Sequence, residues 1–119
     1  MAEATRDEFS AGFSDDDLAL VERWREIAGA FDDGHEQIHR TEIRFVRDRH
    51  YASAFVKSHR LEIAVDLLRQ APHPLLLEAF RTTRRVITHR LTIERLEQLD
   101  ASIEELVAEA YETVGPGTR

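Results

Sequence analysis

The sequence predicts an all-α fold: a helical bundle of about four helices with a long central helix. Three observations lead there. Apolar residues recur at three- and four-residue intervals through most of the chain. The stretch from His35 to about Arg69 contains neither Gly nor Pro. Two segments open with capping sequences, Ser14-Asp15-Asp16-Asp17 and Ser102 with Glu105, whose side chains suit the free N–H groups of a first helical turn.

Residues 1–12 are small and polar without periodicity, and are expected to form a disordered arm. Ser14 caps the first helix, about 15–31, with Phe13 and Leu18 placed for a hydrophobic staple and three aspartates at the positive helix end. Leu20, Val21, Trp24, Ile27, Ala28 and Phe31 make its apolar face, and Asp32-Asp33-Gly34 ends it. The second helix, 35–70, would be about 50 Å long at ~1.5 Å per residue. Projected at ~100° per residue, Ile38, Phe45, Ala52, Val56, Ile63 and Leu67 fall on one stripe. Ile43, Val46, Ala54, Leu61, Ala64, Val65 and Leu68 form an adjoining stripe, and Arg40, Arg44 and Arg47 lie opposite. So wide an apolar arc calls for two or more packing partners, from this chain or a second copy. Pro72-His73-Pro74 forces a turn. A third helix, 75–99, buries Leu76, Ala79, Phe80, Val86, Ile87 and Leu91. The β-branched run 86–93 makes a strand conceivable there, but the period favours helix. The fourth helix, 103–114, carries Ile103, Leu106, Val107, Ala110, Tyr111 and Val114. Gly115-Pro116-Gly117 closes a single domain spanning 13–115, and residues 116–119 are expected to fray.

Composition narrows the function classes. A chain of 119 residues suits one domain that needs no staples. There is no Cys, hence no disulfide framework and no thiol nucleophile. The first residues lack a secretory leader's basic start and apolar run, and no apolar run approaches the length of a membrane span, so a cytoplasmic location is expected. The net charge of −7 is unevenly spread: −8 over residues 1–39, +6 over 40–95 and −5 over 96–119. Either the acidic ends pair with the basic centre, or the centre faces a polyanion. Fifteen of the 16 basic residues are Arg, which suits forked bonds to carboxylate or phosphate.

Three constellations could carry chemistry. His35 and His39, four apart, would share a helix face and could grip one metal ion, with His59, Glu62 and His89 as further candidate ligands. The strings Arg84-Arg85-Val86-Ile87-Thr88-His89 and Arg44 to His50 are similar to the motif of all-helical HEPN-type ribonucleases, an Arg followed a few residues later by a His. That likeness implies His as acid or base and Arg on the scissile phosphate. The polar residue that usually follows the Arg is absent from both strings, and the family is not assigned. Third, Arg40, Arg44 and Arg47 with Arg81, Arg84 and Arg95 form two stripes that could track a phosphate backbone, although no aromatics are interleaved to stack bases. No serine lies in a strand–turn–helix elbow and no Gly-rich phosphate loop exists, so nucleophilic catalysis finds no motif and no cofactor is expected. The leading expectation is a non-enzymatic interaction or assembly subunit that self-associates through Ile38, Phe45, Val56 and Ile63. The alternatives are a nucleic-acid-binding helical protein and a His-based metal-binding or ribonuclease-like bundle.

Overall fold

Strands, not helices, fill the middle of the chain. The computed structural model describes residues 4–117. Among these described residues, two helices come first, α1 (Arg6–Ser10) and α2 (Asp15–Ala28). Six strands follow: β1 (His35–Ile38), β2 (Ile43–Val46), β3 (His50–Lys57), β4 (Arg60–Leu67), β5 (Leu76–Arg81) and β6 (Ile87–Ile93). A 3-10 turn at Leu96–Gln98 leads into α3 (Ala101–Thr113). The strands form one antiparallel sheet in the order β1-β2-β3-β4-β6-β5.

The all-α helical bundle is therefore overturned, and with it the long central helix and the third helix. The physical reason lies in the apolar pattern. In β4, Leu61, Ile63, Val65 and Leu67 are buried while Glu62 and Ala64 between them are not. This is the two-residue period of a half-buried strand. At ~100° per residue, positions two apart fall about 160° from each other, so strand alternation wrapped on a helix leaves two widely separated stripes. The wide apolar arc is their sum. The β-branched run 86–93 is β6, packing preference prevailing over the apparent helical period.

Turns interrupt the Gly- and Pro-free stretch without either residue. His39 N–H donates to the Glu42 carbonyl at 2.8 Å between β1 and β2. Between β2 and β3, the amides of Asp48 and Arg49 both donate to the Gly115 carbonyl at 2.8 Å, so the turn is held by the end of α3. A bulge in the β2–β3 ladder turns Tyr51 inward, where its hydroxyl donates to the Ala28 carbonyl at 2.8 Å. Ser58 and His59 make the β3–β4 turn with φ of 53° and 60°, left-handed values that two-residue hairpins need and that His tolerates better than most side chains.

The helices behave more as expected. Ser14 caps α2 in a capping box with Asp17, and the helix stops at Gly29 rather than at Gly34. The cap of α3 is Asp100, which accepts from the amides of Ser102 and Ile103, and not Ser102. The arm expected over 1–12 contains α1, capped by Thr5 with Glu8 and burying Phe9; residues 1–3 of that arm lie outside the described residues. So do residues 118–119 of the expected frayed end.

Helices α2 and α3 lie over β3 and β4 on the same side of the sheet. Trp24, Ile27 and Ala28 of α2 and Ile103, Val107 and Ala110 of α3 bury the inward residues of β2, β3, β4 and β6. Beside them the Arg47 guanidinium sits 4.7 Å from the Tyr111 ring centroid, and Tyr111 stacks on Phe31 at 4.2 Å. This stack ties the β2–β3 turn, α3 and the loop after α2 together.

Candidate functional site

Residues that alternate with the core-facing set form the opposite face of the sheet, over which none of the described helices packs. Strand register arranges them in rows. The central row runs Arg44, Ser53, Ala64, Arg90 and Glu78 across β2, β3, β4, β6 and β5. Arg44 bonds Glu42 at 2.6 Å; Arg90 lies 3.9 Å from Glu78 and covers the Phe55 ring at 5.9 Å. On one side of this row stand Val46, His50, Asp66, Thr88 and Phe80, and on the other Phe55, Glu62 and Thr92. Phe80 is 43% exposed on β5, whose outer side pairs with no other described strand.

Among the described residues Asp66 is the one acid buried on this face, at 3% exposure. It is fully engaged: the Thr88 hydroxyl donates at 2.7 Å, Arg49 bonds it at 3.2 Å and His50 Nδ1 lies 3.8 Å away. The Thr82 hydroxyl in turn contacts that of Thr88. Burial lowers the pKa of His50, the Asp66 carboxylate opposes that, and Arg44 and Arg49 reinforce it; the imidazole is held below its ordinary range. A neutral His beside a satisfied carboxylate has no neighbouring nucleophile to activate. The group is a polar brace.

A hydroxyl, an imidazole and a carboxylate do meet at the start of α3, where no motif announces them. His73 Nε2 lies 2.8 Å from Ser102 Oγ, and Ser102 Oγ lies 2.5 Å from Asp100. The direction of the bonds rules out an activated serine. The Leu75 amide donates to His73 Nδ1 at 3.0 Å, so Nε2 carries the proton and donates to Ser102, which donates to Asp100. A catalytic base would accept from the hydroxyl instead. The bond from Ser102 and the amides of Ile103 and Ser102 keep the Asp100 carboxyl below the usual range against the effect of burial.

Two other polar arrangements are structural. His59 Nδ1 meets Asp17, the buried capping-box acid of α2, at 2.9 Å. Burial would raise the Asp17 carboxyl, but the Ser14 amide, His59 and the Ser14 hydroxyl together hold it low. A cavity of about 310 Å³ between α1, α2, β1 and β2 has Phe9, Val21 and Ile43 on its floor. The arginines at its mouth are already ion-paired: Arg6 with Glu22, and Arg25 with Glu22 and Glu36.

The residues expected to act together are dispersed. His35 and His39 lie on β1 and just after it, and four strand steps separate them by about 13 Å instead of one helical turn. Among the described residues no group of three or more His, Cys, Asp or Glu could hold a metal ion. His89, counted as a metal or ribonuclease-like residue, is 1% exposed on the core side: its Nε2 accepts from the Ala71 amide at 2.9 Å and its Nδ1 lies 3.1 Å from the Ile87 carbonyl. Of the six arginines expected on a nucleic acid, Arg44 alone stands in the open face's rows. Arg40 pairs with Glu8 in the β1–β2 turn. Arg47 is in the Tyr111 stack, Arg81 bonds the Arg84 carbonyl in the β5–β6 hairpin, and Arg95 pairs with Glu97. Phe45 and Ile63, expected at a subunit boundary, are core residues; Ile38 and Val56 are partly buried against the same core. Sequence reasoning missed the open face because its rows exist only once register is known.

Comparison with protein-family models, with curated proteins and with solved structures found no match to this chain. Among the described residues no helix is long and apolar enough to cross a membrane.

Proposed function

We propose that the protein is a non-enzymatic interaction module, a cytoplasmic assembly subunit that associates with itself through the open face of its sheet. One observation carries this reading. Phe80, Phe55 and Ala64 stand with polar neighbours on a sheet face that none of the described helices covers, and Phe80 is among the largest exposed apolar side chains. Isolated exposed aliphatics are ordinary, whereas an exposed aromatic on a regular sheet face with small residues at its centre suits protein contact. The Asp66 carboxylate and the Ser102 hydroxyl are each already bonded within the chain, which suits a binding rather than a catalytic role. Nucleic-acid binding draws less support, since the expected arginines are spread over separate surfaces and most are bonded to carboxylates or carbonyls.

Size-exclusion chromatography with light scattering, at low and high salt, tests the reading. A dimer or larger species is the expected result. A monomer at every concentration up to several hundred micromolar would overturn it.

A further inference from the structure

The central row has its middle at Ala64 on β4. Arg44 lies two strands to one side and Glu78 two strands to the other, each about 10 Å away at ~4.8 Å per strand. Both side chains are about half exposed, 47% and 49%. From this layout we infer that a second copy docks face to face about a twofold axis running along β4. The inference rests on the self-association reading above and adds its partner geometry.

A twofold axis along β4 exchanges the two sides of the sheet. It sets Arg44 over the partner's Glu78, and Glu78 over the partner's Arg44. Each contact extends an alternating string, because Arg44 already holds Glu42 and Glu78 already faces Arg90 within its own chain. Strand β5 runs in the same direction as β2, so two residues further along each, Val46 comes to lie over the partner's Phe80. Ala64 meets its own copy and Ser53 meets Arg90, so small side chains mark the centre where stacked sheets must approach to about 10 Å. The other acids of β4 do not oppose this. Asp66 is closed off by Arg49 and Thr88. Glu62 accepts from Thr92 and leans toward β6, and the axis sends its copy to the opposite side. A twofold axis across the strands along this same row would set Arg44 against Arg44 and Glu78 against Glu78, and like charges disfavour it. Five strands at ~4.8 Å by about seven residues at ~3.4 Å bury on the order of 1,100 Å² in total, near the lower bound for a specific interface. The dimer is therefore sought at tens of micromolar and above.

The test is a complementation between two charge reversals. Arg44→Glu sets a carboxylate against the partner's Glu78 at both contacts; Glu78→Arg sets a guanidinium against the partner's Arg44 at both. Each alone should weaken the dimer at least about tenfold by light scattering and sedimentation. Mixed in equal amounts, the two variants present opposite charges at both contacts and should recover the dimer. If either reversal lowers the melting temperature, Arg44→Gln and Glu78→Gln, which only remove a charge, must each still weaken the dimer about threefold. A wild-type dimer that the reversals leave intact, or variants that do not recover on mixing, would overturn this geometry while leaving self-association standing. A wild-type monomer would overturn both.

Discussion

Replacing His89 with Leu should leave one backbone donor stranded in the core. His89 lies on β6 facing inward, and its Nε2 accepts the Ala71 amide at 2.9 Å. Ala71 is itself 3% exposed, so water cannot replace the imidazole. Leucine fills similar space and gains some burial, but it accepts nothing. An orphaned buried N–H costs about 1–3 kcal/mol. For 119 residues the unfolding entropy is about 0.25 kcal/mol/K, so the melting temperature should fall by about 4–12 °C. Thermal melts followed by circular dichroism give the first readout. Hydrogen exchange gives the specific one: the Ala71 amide should lose protection relative to its neighbours. Equal protection at Ala71, or a variant within about 0.5 kcal/mol of wild type, would refute the account of His89 as a backbone pin.

Three further outcomes follow from the packing. Because burial holds His50 below its ordinary range, the unfolded chain takes up its proton first, and stability should fall as pH drops below about 6.5 toward the folded value; urea midpoints across that window should flatten in His50→Gln. Gly115→Ala would drive a Cβ into the Tyr111 carbonyl oxygen and to within 3.1 Å of Arg47 Cβ, so it should cost on the order of 1–3 kcal/mol in chemical denaturation. The Tyr51 hydroxyl, pushed up to about 12 by burial and then by Tyr111, should stay un-ionised near pH ~10, where a free tyrosine ionises, and ultraviolet titration of Tyr51→Phe against wild type should show the loss of the late transition.

Helices α2 and α3 are legible in the sequence, whereas α1 and the sheet are hidden. Ser14 with three aspartates after it is a local signal, and α2 starts where that signal lies. The β3–β4 turn carries no such signal: Ser58 and His59 adopt left-handed backbone in a position where Gly or Asn would have announced a hairpin. Without punctuation, 35–70 reads as continuous, and the alternation in β4 dissolves into two helical stripes. The β2–β3 turn is equally silent, since what closes it is the Gly115 carbonyl, far away in the chain. The candidate face is less legible still. Arg44, Ala64 and Glu78 have no relation in sequence, and only pairing through β3 and β6 puts them in one row. Arg44 stands out for its charge, but its place beside Ser53 depends on strand register.

The strand order has a consequence for the chain as it is made. Strands β1 to β4 form a simple meander, but the neighbour that completes β4 is β6, with β5 outside it. Until β6 emerges, the hydrogen-bonding edge of β4 stays open beside Leu61, Ile63, Val65 and Leu67. At about 5–20 residues per second, the 19 residues between them take about 1–4 s to synthesise. During that interval the strand that carries Leu61, Ile63, Val65 and Leu67 is an unprotected template, and pairing with β6 closes it.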